Sequence, residues 1–253
     1  MKLATWNVNS LKVRLPHLLD WLAREPIDIV CLQETKLEDA NFPAEALRNA
    51  GYETVCSGQK TYNGVAIASR TPLARVLKGI PDFGDEQRRV IAASAGDIRV
   101  VNAYVPNGQS VDSDKYRYKM DWLERFTRWI EAELSSHPAL AVVGDFNIAP
   151  EPRDVHDPKA WEGQVLFSEP ERTAFRRLLD LGFVDAFRLF EQPDKSFTWW
   201  DYRLNAFKRG LGLRIDHILV SPALAQRCRR VEIVRELRSL ERPSDHAPVV
   251  AEF

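Results

Sequence analysis

Ala141-Val142-Val143-Gly144-Asp145-Phe146-Asn147 runs small and β-branched apolar residues straight into an acid and an amide. Such a run, too short for a helix and ended by polar residues, reads as a buried strand carrying a carboxylate at its end. Two other stretches have the same form: Asp28-Ile29-Val30-Cys31-Leu32-Gln33-Glu34 and Arg214-Ile215-Asp216-His217-Ile218-Leu219-Val220. A fourth acid, Asp245, stands beside His246 in Ser244-Asp245-His246-Ala247-Pro248, just before the last apolar run. A lone acid at a turn is ordinary loop chemistry. Four acids tied to buried strands imply a shared edge, because strand ends of one sheet converge where ligands of α/β proteins bind.

Working outward, strands are expected at 3–8, 27–32, 64–69, 89–95, 98–105, 139–144, 215–220 and 247–253. Helices are expected at 14–24, with Ser10 as its cap, at 44–50, at 171–181, and most clearly at 115–134. There Trp122, Leu123, Phe126, Trp129 and Ile130 form one apolar stripe. Several strands between 64 and 105 follow one another without a helix, so the sheets should be mixed or antiparallel. No linker or repeat interrupts the 253 residues, which are 45% apolar and 28% charged, and a single α/β domain over 1–253 is expected. Thirty-five Lys and Arg oppose thirty-six Asp and Glu, so a polyanion would have to be held by local patches. Candidate patches are Arg88-Arg89; Lys115, Arg117 and Lys119 interleaved with Tyr116 and Tyr118; and Arg203, Lys208 and Arg209. The odd set Cys31, Cys56 and Cys228 fits no zinc spacing and suggests a reducing, cytoplasmic setting. Nothing in the sequence is long and apolar enough for a membrane span.

If Glu34, Asp145, Asp216 and Asp245 converge, two like charges 4 Å apart cost about 4 kcal/mol at an effective dielectric near 20. Either some carboxyls stay protonated or a cation sits among them. All-oxygen donors, with Asn7 and Asn9 as further candidates, favour Mg²⁺ or Mn²⁺ over Zn²⁺. Such an ion polarises a phosphoryl oxygen. Asp145 could take a proton from water and His246, held by Asp216, could donate to the phosphate. His217, inside an apolar run, reads as a packed strand residue.

These residues resemble the exonuclease III family of apurinic/apyrimidinic (AP) endonucleases, within the endonuclease/exonuclease/phosphatase superfamily. The likeness runs nearly end to end through Thr5-Trp6-Asn7-Val8-Asn9-Ser10-Leu11, Leu32-Gln33-Glu34-Thr35-Lys36, Asn63-Gly64-Val65-Ala66, Asn102-Ala103-Tyr104-Val105-Pro106-Asn107, Gly144-Asp145-Phe146-Asn147, Phe197-Thr198-Trp199-Trp200-Asp201-Tyr202-Arg203, Leu213-Arg214-Ile215-Asp216 and Ser244-Asp245-His246-Ala247-Pro248. It implies a four-layer α/β sandwich, two mixed sheets face to face with helices outside. It further implies Glu34 as the principal Mg²⁺ ligand, with Mn²⁺ as a substitute and with Asn9 and Asp245 near the metal. Asp145 would be the base, Tyr104 a phosphate-contacting phenol, Asp216 with His246 an Asp-His pair, and Asn7 and Asn147 the amides that orient phosphate and water. Asn107 would contact substrate. Trp199, Leu213 and Ile215 would wall a pocket for an extruded abasic sugar, with Arg203 at the position of an intercalating residue.

The activity so implied is Mg²⁺-dependent AP endonuclease cleavage 5′ to abasic sites, with 3′→5′ exonuclease and 3′-end processing on double-stranded DNA, by a monomer. Two departures bear on the preferred substrate. Gly108-Gln109-Ser110 lacks an inserted arginine, and Gln164-Val165-Leu166-Phe167-Ser168 lacks the Asn-x-Gly-Phe of many AP endonucleases. An enzyme acting mainly as a 3′-phosphatase and exonuclease is the alternative; a silent nucleic-acid-binding regulator would have been free to lose Glu34, Asp145 or His246.

Overall fold

The computed structural model describes residues 1–253. Fourteen strands follow in chain order: β1 (Lys2–Asn7), β2 (Ile29–Gln33), β3 (Glu53–Ser57), β4 (Val65–Ser69), β5 (Leu73–Lys78), β6 (Val90–Ala95), β7 (Ile98–Tyr104), β8 (Leu140–Asp145), β9 (Val184–Asp185), β10 (Trp199–Trp200), β11 (Gly212–Leu213), β12 (Asp216–Val220), β13 (Arg230–Ile233) and β14 (Val249–Glu252). They form two six-stranded sheets, β13-β14-β1-β2-β4-β3 and β5-β6-β7-β8-β12-β9, and the small β10-β11 hairpin. Both sheets are mixed: β1-β2 and β7-β8 are parallel pairs and the other pairings are antiparallel.

The layers follow from alternation along each strand. Leu3, Ile29, Cys31, Val65 and Ile67 of the first sheet meet Ile91, Val100, Ala141, Val143 and Ile218 of the second in one core. The opposite face of the first sheet packs Trp6, Val30 and Leu32 on the Leu11–Arg24 helix through Leu18, Trp21 and Leu22. On the outer face of the second, Val101 and Val142 meet Trp122, Phe126 and Ile130 of the Asp114–Ser136 helix and Phe175 and Leu178 of the Glu169–Asp180 helix. This is the four-layer sandwich expected.

Three local expectations need correction. The first helix starts at Leu11, not at 14, and Ser10 gives it no side-chain cap. Ser10 instead sits at φ 86°, its amide donating to Glu34 O at 2.8 Å, so this turn is shaped by the strand edge. Strands β3, β5 and β13, which carry exposed or half-buried residues, lack the continuous apolar run that marks a central strand. Lys119 and Tyr116 are also not on a solvated basic face: both are buried, the lysine against Glu171 and the tyrosine against Ser168.

Candidate active site

The same alternation that builds the core ends in polar residues at one edge. Leu3, Thr5 and Asn7 point inward from β1, Ile29, Cys31 and Gln33 from β2, and Ala141, Val143 and Asp145 from β8. In register, Asn7 pairs with Gln33, Tyr104 with Asp145, and Asp145 with Asp216. The parallel pairs therefore finish, and the antiparallel β12 begins, at one end of the cleft between the sheets. A layer of buried amides floors it: Gln33 Nε2 donates to Thr5 Oγ1 at 2.9 Å and to Asn102 Oδ1 at 2.7 Å, while Asn102 Nδ2 donates to the carbonyls of Leu32 and Ala66, each at 2.9 Å.

Above that floor a hydrogen-bonded arc runs through most of the expected residues. Asn7 Nδ2 donates to Glu34 Oε1 and to Asp145 Oδ2, both at 2.9 Å. Asp145 Oδ1 accepts the Asn147 amide at 2.9 Å, and Asn147 Oδ1 accepts from Asn107 Nδ2 at 3.1 Å. On the other side, Lys36 Nζ lies 3.0 Å from Glu34 Oε2 and 2.5 Å from Asn9 Oδ1. Asn9 Nδ2 donates to Asp245 Oδ1 at 2.9 Å, and Trp199 Nε1 to Asp245 Oδ2 at 3.0 Å. Asn9, Glu34 and Asn147 all take positive φ, 42°, 51° and 49°. Such strain concentrates where a side chain must be aimed. Gly144 makes the close sheet edge possible: at φ 145°, an added Cβ would lie 1.8 Å from Ala103 O.

Behind the arc, His246 Nδ1 donates to Asp216 Oδ2 at 2.8 Å, and its Nε2 faces Asp145 Oδ2 at 3.7 Å. Burial opposes charge on this imidazole, but the carboxylates of Asp216 and Asp145 outweigh it and hold its pKa up to about 10. Burial pushes Asp145 up to about 7, against the pull of the His246 charge. Tyr104 is kept a phenol, well above its usual range, by burial and by the neighbouring Glu34 and Asp145. The 244–248 segment is fixed by Ser244 Oγ donating to Asn7 O at 2.7 Å and by the β10-β11 hairpin, whose Trp200 amide donates to Asp245 O at 3.0 Å.

Donor atoms of Glu34, Asp145 and His246 lie within 4.8 Å of one another. A charged His246 anchored at Nδ1 is no cation ligand, so the oxygens are what count. Glu34, Asn9 and Asp245 offer hard donors with no thiolate among them, and the Lys36 ammonium already sits between Glu34 and Asn9. This set suits a hard cation.

The remaining expected residues lie at the rim. Leu213 and Ile215 are buried with Leu166, Phe167, Val155 and Ala149, with Trp199 packed against them. Arg203 is exposed and tied to Asp201 at 2.6 Å, beside the exposed Leu204. Arg89 stacks 4.7 Å over the Tyr104 ring. With Lys115, Tyr62, Tyr118 and Asn107 it lines a groove of about 640 Å³ leading to the arc. Sequence reading missed Lys36, Arg14 and Thr198. Arg14 holds Asn9 O and Pro243 O, and Thr198 Oγ1 accepts the amides of Ile215 and Asp216 at 3.0 and 3.1 Å. Lys36 had a signal, lying two residues from Glu34; the other two act from distant elements. His217 is a packed strand residue as expected. It accepts from Arg214 at Nδ1 and donates from Nε2 to Ile148 O at 2.9 Å, and burial keeps it neutral.

The sequence profile of the endonuclease/exonuclease/phosphatase family matches residues 4–246. The chain belongs to this family. It is 37% identical to exodeoxyribonuclease III of Haemophilus influenzae, with all of both chains covered, and 34% identical to an exodeoxyribonuclease of Bacillus subtilis over 98% of each. Among solved structures, a 3′ phosphatase NExo variant from Neisseria bound to a product DNA hairpin superposes with a TM-score of 0.99 at 50% identity, covering 100% of this chain and 99% of that one. An AP endonuclease from Archaeoglobus fulgidus gives 0.97 at 42%, with the same coverage. The full-length likeness to exodeoxyribonucleases makes this chain a hydrolase of the nuclease type.

Proposed function

We propose that the chain is a Mg²⁺-dependent DNA repair phosphodiesterase, cleaving 5′ to abasic sites and processing damaged or recessed 3′ ends of double-stranded DNA. The observation that carries this is the continuous arc Asp245-Asn9-Lys36-Glu34-Asn7-Asp145-Asn147, backed by the Asp216-His246 pair. Glu34, Asn9 and Asp245 would hold the Mg²⁺, which when bound draws charge from a phosphoryl oxygen and from the departing 3′ oxygen.

The chain's own groups divide the rest. Asn7 and Asn147 orient Asp145 toward a water, whose oxygen bonds to phosphorus as Asp145 takes its proton. Burial raises this carboxyl above the usual carboxylate range, which makes it a stronger proton acceptor. His246, charged through Asp216, and the protonated Tyr104 donate to phosphoryl oxygens as negative charge builds there. The bond from phosphorus to the 3′ oxygen breaks and that oxygen takes a proton from solvent, leaving a 3′-hydroxyl and a phosphate on the downstream strand. Arg89 and Lys115 in the groove meet the phosphate backbone.

A second reading has one specific observation behind it. Leu213 and Ile215, expected to line a sugar pocket, are buried in one apolar cluster with Leu166, which takes φ 76°, and Phe167. A filled wall favours 3′-phosphatase and exonuclease action over incision at internal abasic sites. End-labelled duplexes carrying an abasic analogue, a 3′-phosphate or a recessed end, each with Mg²⁺ and with chelator, test both readings. Fast incision of the abasic duplex removes the second; no Mg²⁺-dependent cleavage of any duplex removes both.

A further inference from the structure

One feature outside the arc is a fully buried ion pair. Lys119, on the Asp114–Ser136 helix, and Glu171, on the Glu169–Asp180 helix, are both 0% exposed. An ammonium has three protons, and here each has one acceptor: Glu171 Oε1, Asn147 O at 2.7 Å and Asn107 O at 3.1 Å. The Glu171 carboxylate in turn accepts the amides of Leu166 and Ser168, at 3.0 and 3.1 Å, and the Ser168 hydroxyl. Tyr116, one turn back on the lysine's helix, closes the cluster by its hydroxyl contact with Ser168 Oγ at 2.6 Å.

A buried ion pair is a poor stabiliser, since apolar residues of equal volume commonly serve as well or better. What this pair does that Leu or Met could not is hold two main-chain carbonyls. They belong to Asn107 and Asn147, whose side-chain amides bond to each other beside Asp145. Asn147 is held in the left-handed region at φ 49°. Gly108 lets the Asn107 loop lie against the lysine stem: it sits at φ +94°, and an added Cβ would come within 3.2 Å of Lys119 Cδ.

We infer that Lys119, charge-balanced by Glu171, is a positioning residue that sets the Asn107-Asn147 amide pair against the reacting phosphate and ties that pair to the 164–168 loop. The inference rests on the phosphodiesterase reading for its kinetics and on the geometry alone for its structure. The test replaces the pair by neutral side chains of similar size, Lys119→Met with Glu171→Gln. Expected are a melting temperature within a few degrees of wild type, kcat on a 3′-phosphate duplex lowered about 10- to 100-fold with KM moved less than about 3-fold, and displaced side-chain amide resonances of Asn107 and Asn147. Asn107→Ala should then cost less in the double variant than in wild type, because the amide it removes is already misplaced.

Full kcat with unmoved resonances overturns the inference, as does an Asn107→Ala loss equal in both backgrounds. If the double variant fails to fold, Glu171→Gln alone decides. Burial already pulls the Lys119 proton toward loss and Glu171 is the main group opposing it, so without that carboxylate the amine gives up a proton and its full grip on the carbonyls, and kcat lowered about 10-fold with displaced Asn107 and Asn147 resonances is expected; a folded Glu171→Gln protein with full kcat and unmoved resonances refutes the carbonyl-holding role. Inactive wild-type protein would sink the phosphodiesterase reading, and the resonances would still test the positioning.

Discussion

The proton on His246 can be reached by a stability measurement that needs no substrate. Burial disfavours it, and the Asp216 and Asp145 carboxylates hold it to about pH 10, against about 6.5 in an unfolded chain. A base raised on folding adds stability that is complete below the unfolded pKa and is lost as pH climbs toward the folded one. Between pH 7 and 8.5 the folded imidazole keeps its proton while the unfolded one has shed it. The unfolding free energy should therefore fall by about 1.4 kcal/mol per pH unit, or about 2 kcal/mol across the window. Other groups set the limits. Asp145, raised by burial to about 7, gives a slope of the same sign below that pH, and losing the His246 charge would lift it further. The comparison is therefore made in an Asp145→Asn background, where Asp216, the nearer carboxylate, remains but one of the two carboxylates that raise the imidazole is gone, so a fall of the same sign and of at most about 2 kcal/mol is expected. Above about 8.5, thiols of the unfolded chain ionise, while the folded Cys31 and Cys56 stay protonated through burial. Urea unfolding in EDTA at pH 7.0, 7.75 and 8.5, with and without His246→Asn, measures the difference directly. Parallel slopes for the two proteins would refute the imidazole held charged by Asp216, and with it the phosphate-donor role assigned to it.

Three further outcomes are expected. Asp145→Asn should lower kcat by about 10²-fold or more with Mg²⁺ present, the usual size of a lost general base, and a rate near wild type rules out that role. Gly144→Ala, with its Cβ 1.8 Å from Ala103 O, should destabilise by more than about 4 kcal/mol in urea unfolding; a mild effect would mean that β7 and β8 part easily at the site. Lys115→Ala should flatten the dependence of log K for DNA on log salt by about 0.9, the release associated with one phosphate, whereas an unchanged slope takes the groove off the DNA path.

The catalytic edge was legible in the sequence because it is written with period two. The inward face of β1, β2 and β8 passes from Leu3, Ile29 and Ala141 to Asn7, Gln33 and Asp145 without a break in phase. A buried carboxylate is costly unless it has a partner or a ligand to meet, so an apolar strand running into one marks a site. Asp216 and His246 could be paired in advance for the same reason, each sitting at a strand end. Lys119 could not be placed. Charge at i, i+4 on a helix normally means solvent, and only the fold reveals that Glu171, fifty-two residues on, waits on the other helix. Leu213 and Ile215 enter as pocket walls only through the family resemblance, because a strand pattern marks burial without saying what does the burying. Leu166, which shares their apolar cluster, comes from a loop whose path no periodicity constrains.

On the proposed reading, the charges of the arc bear on how it would meet a phosphodiester. Counting the arc and its Asp-His pair alone, with Glu34, Asp145, Asp216 and Asp245 as carboxylates and Lys36 and His246 as cations, the sum is −4 + 2 = −2, with the Arg14 and Arg89 guanidiniums just outside it. An incoming phosphodiester, itself −1, meets repulsion of order 4 kcal/mol from each net charge about 4 Å away at an effective dielectric near 20. Protonating Asp145 would relieve half of this, but at the loss of the group that must accept a proton from water. A monovalent cation leaves one negative charge facing the phosphate. A divalent cation held by Glu34, Asn9 and Asp245 brings the sum to zero while leaving Asp145 basic and His246 acidic. On the proposed reading the two proton-transfer groups and the cation would thus not be separable devices: each would keep the charge state that the others require.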